Sequence, residues 1–508
     1  MKLQNTKKIL ALALTAMSLL SVSCSSGTGE SDSGSRQTGS QGGKPLAQSP
    51  SGTDQDDSRG SSSENYSYGD LTSQSFAQAH DAFQTTLARE ENDSYSVPAP
   101  ADGFELVAYP SKIGDMAAYV SADPGDGEKH PIIIWVVGGW GNGIDDFPWC
   151  YPEWDNDQTG SAFWQEGILT MYPSFRGGNG NPGYYETLFG EVDDIISACE
   201  YAASLPYVDP DRIYLGGHST GGTRALLAAE YSDMFRAVFC FGAVDEIKYH
   251  NNSQFTFDTS KDEEYVMRSP IYWLKDVKNP TFLIEGSDGN SDNLRNIQNA
   301  SENNNINCYI LEGHDHFSVL APVTRLLAEK ILADTEAECN ISITQEELES
   351  ALNTEPEIPL PAMLTYNMDA LGLSFSLPYI WEFSQDSEDD PFCFTSPYDG
   401  DNIWDMSTLY MDVYSMENPD SYLADMAEYM ETQEGYQTQT TTVDGAPALD
   451  CFGSTTNDNG SVFRNRYIII QREDHFVELD FYIHESFESD ADTLYQTIID
   501  SLRFTQPQ

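Results

Sequence analysis

The stretch from Arg212 to Tyr231 constrains this chain more than any other. A strand-like run, Arg212–Leu215, gives way to Gly216-Gly217-His218-Ser219-Thr220-Gly221-Gly222, and a helical pattern over Thr223–Tyr231 follows at once. A strand that turns this abruptly into a helix forces the corner residue into strained backbone geometry, where bulky neighbours would collide. Glycines on both sides of Ser219 remove the collisions, and the strain lifts the hydroxyl clear of the sheet. The helix behind it presents unpaired N–H groups, and that of Thr220 is positioned to donate to a developing oxyanion. The same Gly-x-Ser-x-Gly pattern can also be a glycine-rich helix start with an idle serine. The strand–turn–helix setting favours the nucleophile.

The surroundings supply a sheet for that turn. Ile132–Val137, Gly167–Met171, Ala237–Phe241, Thr281–Glu285 and Cys308–Leu311 are short apolar runs, as expected of strands buried on both faces. Helical spacing over Glu191–Leu205, Thr223–Tyr231 and Val319–Ala333 separates or follows them. Alternating strands and helices over 71–337 predict an α/β fold, a mostly parallel sheet covered by helices on both faces. Residues 338–360 turn polar and end in Pro356, Pro359 and Pro361, which reads as a linker. Beyond it, alternating strands at Leu373–Leu377, Leu409–Val413, Tyr467–Gln471 and His475–Ile483, with helices near Ser421–Glu431 and Asp490–Leu502, predict a smaller α+β domain over 361–508.

A serine hydroxyl needs a base to take its proton. His314 and His316 follow the Cys308–Leu311 strand beside Gly313, and His316 is the preferred base, with His314 expected at the surface. The acid that orients the base is expected after the preceding strand, in Gly286-Ser287-Asp288-Gly289-Asn290-Ser291-Asp292; Asp288 is the first choice and Asp292 the reserve. The order Ser219, Asp288, His316 is the chain order of α/β-hydrolases. A second oxyanion donor is expected from Val137-Gly138-Gly139-Trp140-Gly141, from the Trp140 N–H or else that of Gly139, although the segment also reads as a simple tight turn. The His-x-His pair lacks a third ligand cluster, so no metal is expected. The Asp288–Asn299 run departs from a calcium loop at Asn293 and Asn299.

These residues resemble the catalytic domain of the prolyl oligopeptidase-like serine hydrolases over 71–337. The resemblance rests on Pro173-Ser174-Phe175-Arg176-Gly177, Val208-Asp209-Pro210-Asp211-Arg212, the Gly217–Gly222 turn, Gly138-Gly139 and Asp315-His316-Phe317. It implies cleavage of peptide or ester bonds through an acyl-serine intermediate, with no cofactor. No β-propeller, the size filter of larger members, precedes the domain here, and the segment around the acid is one residue short, as Glu285-Gly286-Ser287-Asp288. The C-terminal domain resembles the small PsbP/Mog1-like fold, through Leu373-Ser374-Phe375-Ser376-Leu377-Pro378 with Trp381 and through Ile498–Phe504. That resemblance implies a binding or positioning module of unknown partner. The rival reading of the whole chain is a non-catalytic binding lipoprotein that uses the hydrolase fold as a platform.

The N-terminus carries an address. Lys2, Lys7 and Lys8 precede an apolar run, Ile9–Leu20, and then Ser21-Val22-Ser23-Cys24, which reads as a signal peptide over 1–23. Cys24 resembles the lipidated cysteine of bacterial lipoproteins; ordinary secretion with the same cut is the alternative. Residues 24–70, rich in Ser, Gly, Asp and Gln, read as a flexible tether between a membrane lipid anchor and the folded part. Across the chain, 82 Asp+Glu against 25 Lys+Arg give a formal charge of -57, which repels nucleic-acid phosphates and argues against such a partner. Seven cysteines follow Cys24 without metal-like spacing, and no disulfide framework is expected.

Overall fold

The computed structural model describes residues 71–504, with breaks at 150–155, 251, 355–361, 369–370, 380, 386–390, 397–406, 416–420, 434, 457–459, 474 and 485–490. The expected signal peptide, Cys24 and the tether therefore lie outside the described residues. Helix α1 (Phe76–Ala82) opens the body, its first turn closed by a capping box between Ser75 and Gln78. Strands β1 (Phe104–Ser111), β2 (Gly114–Ser121), β3 (His130–Val136), β4 (Leu169–Pro173), β5 (Val208–His218), β6 (Ala237–Phe241), β7 (Thr281–Gly286) and β8 (Ile306–Leu311) form one sheet. Its spatial order is β1-β2-β4-β3-β5-β6-β7-β8. β2 pairs antiparallel with both β1 and β4, and all pairs from β4 to β8 are parallel.

The apolar run in β3 shows why the sheet is covered on both sides. Ile132 and Ile134 face one layer, with Val192 and Ile195 of α3 (Gly190–Ser204), Leu226 of α4 (Thr220–Tyr231) and Leu294 of α6 (Ser291–Ala300). Short α5 (Asp262–Val266) packs in the same layer through Tyr265 and Val266. Ile133 and Trp135 face the other layer, with Phe163 of α2 (Ser161–Gln165) and Leu327 and Ile331 of α7 (Leu320–Ala333). Alternate side chains of one strand thus fill two cores, as a strand buried on both faces requires. This is the α/β-hydrolase architecture.

The expected linker, 338–360, needs correction over its first half. Helix α8 (Gln345–Leu352) lies within it, started by a capping box between Thr344 and Glu347. Leu348 is fully buried and joins Ile341 and Ile343 in the core layer of α7. Tyr309 donates to the Ile343 carbonyl at 2.6 Å, and Lys330 pairs with Glu347. The polar composition is that of an amphipathic surface helix with a narrow apolar stripe.

The C-terminal region carries two further antiparallel sheets. β9 (Met363–Met368), β10 (Leu373–Pro378) and β18 (Arg503–Phe504) form a three-stranded sheet in the order β18-β10-β9. β11 (Glu382–Ser384), β12 (Phe392–Thr395), β13 (Thr408–Tyr414), β14 (Gln437–Val443), β15 (Ala446–Thr456), β16 (Val462–Gln471) and β17 (Phe476–His484) form the larger one, in the order β11-β12-β13-β17-β16-β15-β14. Between them α10 (Ala491–Ser501) buries Leu494, Tyr495 and Ile498 against Phe375, Ile468 and Phe481; α9 (Tyr422–Glu431) buries Tyr422, Met426 and Met430. The small sheet is fastened to the domain of the eight-stranded sheet by Asp102, whose carboxylate accepts from the Thr365 N–H and hydroxyl at 3.1 and 2.7 Å. Tyr379 adds a bond to the Ala99 carbonyl at 2.8 Å. Among the described residues, no helix is long and apolar enough to cross a membrane.

Candidate active site

Ser219 stands where β5 ends and α4 begins, with φ 58° and ψ −121°. A non-glycine residue in that region stores backbone strain, which its surroundings must hold in place. Its N–H donates to the Phe241 carbonyl at 2.8 Å and its carbonyl accepts from Thr223 at 3.0 Å. The flanking glycines make the crossing possible: a Cβ on Gly221 would stand 2.0 Å from the Val136 oxygen, and one on Gly222 would stand 2.3 Å from the Phe241 oxygen.

His316 lies on the loop between β8 and α7. Its Nδ1 is 2.8 Å from Glu285 Oε2, and the Glu285 side chain is fully buried at the end of β7. Glu285 Oε1 accepts from the Gly286 N–H at 2.8 Å, so both carboxylate oxygens are held. The ring rests on Gly242, where a Cβ would come within 2.2 Å of His316 Cε1. Asp315 braces the loop by accepting from the N–H groups of Phe317 and Ser318 at 2.9 and 2.8 Å. Expected at the surface, His314 is half-buried and stands 3.5 Å from the Ser318 hydroxyl.

The acid expected at Asp288 is therefore a misreading: the carboxylate on His316 is Glu285. Asp288 is exposed, its N–H donates to the His314 carbonyl at 2.9 Å, and its carboxylate takes only the Ser287 hydroxyl at 3.2 Å among the described contacts. The reserve, Asp292, is exposed and paired with Arg295 at 2.9 Å. The physical reason is reach. Glutamate, one methylene longer than aspartate, spans from the strand itself to the imidazole, so the loop acid is not needed. A signal was present, since a lone carboxylate in the otherwise uncharged strand Thr281–Gly286 must find a partner when buried.

His218, the residue before Ser219, is a second imidazole of the site. Its ring centroid is 4.5 Å from that of His316, and its Nε2 lies 3.2 Å from the His316 carbonyl. A carbonyl accepts, so Nε2 carries the proton and Nδ1 is a bare acceptor, buried and without a partner. Burial and the neighbouring His316 push His218 down to about 3, so it stays neutral. Phe317, exposed, closes one side at 5.1 Å from the His316 ring centroid.

The loop after β3 passes over the serine: a Cβ on Gly138 would be 3.2 Å from Ser219 Cβ. Gly139 has φ +93°, a left-handed turn that glycine alone adopts freely. The Thr220 hydroxyl donates to the Gly139 carbonyl, tying the loop to the first turn of α4. Among the described residues, the N–H groups of Trp140 and Thr220 meet no acceptor. The Trp140 ring packs edge-on against Phe255, centroids 5.7 Å apart. The arrangement offers a serine on a strained backbone, an imidazole backed by a buried carboxylate, and two N–H groups without an acceptor among the described residues, one on the residue after the serine and one on the loop that passes over it.

The other motif residues serve the frame. Arg176 grips Asp194 through two nitrogens at 2.9 Å each and reaches Glu186 at 2.9 Å. Arg212 donates to the Ile331 carbonyl at 2.8 Å. Cys199, Cys240, Cys308, Cys339, Cys393 and Cys451 are free thiols. Among the described residues one cluster, His80, Asp81 and Asp193, has a spacing that suits a metal. The Lys112 ammonium already lies 2.7 Å from Asp193 and 3.7 Å from Asp81, which supplies the positive charge.

Residues 154–292 match the model of the prolyl oligopeptidase family. A comparison with curated proteins finds no match. Among solved structures, this chain is similar to Porphyromonas gingivalis dipeptidyl peptidase 4, at 18% identity over 45% of this chain and 35% of that one, TM-score 0.38. A puromycin-hydrolyzing peptidase of Mycobacterium tuberculosis aligns at 21% identity over 46% of this chain and 39% of that one, TM-score 0.38. An esterase of Pyrobaculum calidifontis aligns at 15% identity over 46% of this chain and 87% of that one, TM-score 0.35. The chain thus spans well under two thirds of the length of the two peptidases.

Proposed function

We propose that this chain is a serine hydrolase that cleaves peptide or ester bonds. Ser219 Oγ attacks the acyl carbon while its proton passes to His316 Nε2. Glu285, on Nδ1, keeps the ring in the tautomer that leaves Nε2 free to accept, and it stabilises the imidazolium that forms. The N–H groups of Trp140 and Thr220 receive the negative charge on the substrate oxygen. His316 then returns the proton to the leaving amine or alcohol, and a water activated by the same imidazole releases the acyl group. No metal or cofactor enters these steps. The observation that carries the reading is the 2.8 Å bond between His316 and buried Glu285, with the His316 ring centroid 4.5 Å from that of His218, the residue before the strained Ser219. The family match over 154–292 supports it.

The formal charge of -57 favours substrates that carry a free amine over anionic ones. Cleavage before Cys24 and its lipidation would hold the enzyme on the outer face of a membrane through the 24–70 tether, with the C-terminal domain as a binding or positioning module. Metabolic labelling with an alkyne fatty acid, lost in Cys24→Ser, checks the anchor.

The test of the chemistry is fluorophosphonate labelling of the protein without its signal peptide, beside Ser219→Ala and His316→Ala. Labelling of the wild type and loss in both variants is the expected result. A folded wild type that takes no label overturns the enzyme reading in favour of a binding lipoprotein.

A further inference from the structure

The loop that carries Trp140 ends at Asn142, a polar side chain only 1% exposed. Its amide nitrogen donates to the Arg176 carbonyl and to Glu191 Oε1, both at 2.9 Å. Its amide oxygen accepts from Arg224 at 2.9 Å. Its backbone carbonyl accepts from the Phe175 N–H at 2.8 Å and the Ser174 hydroxyl at 3.0 Å. Every one of these partners lies on a different strand end or helix from the loop itself. Arg224 sits on α4 one turn after Thr220, so the two residues share a face of that helix. Thr220 holds the Gly139 carbonyl and Arg224 holds the Asn142 side chain. The segment from Gly139 to Asn142 is thus bolted at both ends to the first turns of α4.

The charges behind this contact are buried. Arg224 is 2% and Glu191 0% exposed, and the guanidinium carbon stands 5.5 Å from the Phe175 ring centroid. Buried polar groups in such a network hold one geometry, because each displaced bond leaves a group unpaired where water cannot replace the partner. The two proposed oxyanion donors, Trp140 and Thr220, come from the two elements that this network joins.

We propose that Asn142 is a positioning residue for the reaction: through Arg224, Glu191 and the Arg176 carbonyl it sets the separation of the Trp140 and Thr220 N–H groups. The inference rests on the serine-hydrolase reading. Asn142 touches no substrate atom and acts through the loop. Displacing a donor by about 1 Å lowers the rate about a hundredfold without changing how the ground-state substrate binds.

The experiment compares wild type with Asn142→Ala and the isosteric Asn142→Asp, which keeps an acceptor for Arg224 and loses both donated bonds. p-Nitrophenyl butyrate turnover is normalised to active sites counted by fluorophosphonate titration, and inhibition by an alkyl trifluoromethyl ketone, whose serine adduct carries an oxyanion, is measured alongside. The expected result is a kcat per titrated site lowered about a hundredfold, KM within about threefold, and inhibition by the ketone weakened in step with kcat. A purely structural role would reduce the number of titrated sites and leave kcat per site and ketone affinity unchanged; that outcome overturns the proposal. If Asn142→Ala fails to fold, Asn142→Asp alone decides. A wild type that the fluorophosphonate does not label overturns the serine-hydrolase reading and this inference with it, whereas a labelled wild type with unaltered variants overturns only the role of Asn142.

Discussion

Replacing Glu285 by glutamine keeps the shape of the side chain and removes its charge. The amide oxygen can still accept from the Gly286 N–H, as Glu285 Oε1 does at 2.8 Å. The amide NH2 then faces His316 Nδ1, a contact that favours the tautomer with its proton on Nε2, where it can no longer take the serine proton. The lost attraction can be sized. Glu285 is fully buried and 2.8 Å from Nδ1, which sets the charge centres about 4 Å apart. At an effective dielectric of about 20 that separation is worth about 4 kcal/mol to the imidazolium of the transition state. At about 1.4 kcal/mol per decade, kcat/KM falls about a thousandfold. The assay is ester turnover and the fluorophosphonate labelling rate for Glu285→Gln beside Asp288→Ala, with circular dichroism to confirm folding. Asp288→Ala, at an exposed side chain without a bond to His316, stays within about twofold of wild type. A loss at Asp288 matching that expected for Glu285, with Glu285→Gln within tenfold of wild type, would refute the reasoning.

Three further outcomes follow from the same geometry. Gly242→Ala places a Cβ 2.2 Å from His316 Cε1 and 2.9 Å from Glu285 Oε2, so labelling by fluorophosphonate drops by about a hundredfold or more; normal labelling would mean that His316 does not rest there. Leu348→Ala, at a fully buried position of α8, lowers the unfolding free energy by about 2–5 kcal/mol in urea; a change under about 0.5 kcal/mol would return 341–352 to the status of a linker. His218 is held near 3 by burial and by His316, whereas in the unfolded chain it titrates near 6.5. Between those values the unfolded state binds the extra proton, so stability is full above pH 6.5 and declines below it, by about 1.4 kcal/mol per unit from this residue. His218→Asn flattens the fall of the urea midpoint between pH 6.5 and 5, and an unaltered slope would show that His218 is not neutral in the fold.

Local chemistry alone determined much of this protein. The strands of the first sheet were legible because a strand buried on both faces must be apolar throughout, as Ile132–Val136 is. The turn at Ser219 was legible because only glycine tolerates the approach of Val136 and Phe241 on either side. His316 was legible from a loop position next to a glycine. The helix of 345–352 was hidden by its composition, since a surface helix with one fully buried leucine looks polar in sequence. Glu285 and Asn142 were decided by the tertiary structure. A carboxylate in a strand acquires its imidazole only when β7 and the loop after β8 lie side by side, and an asparagine in a turn acquires its partners only when β4, α3 and α4 converge on it. Backbone conformation and burial follow from neighbours along the chain, whereas the partner of a buried polar group is set by residues far away in sequence, which packing alone brings within hydrogen-bond reach.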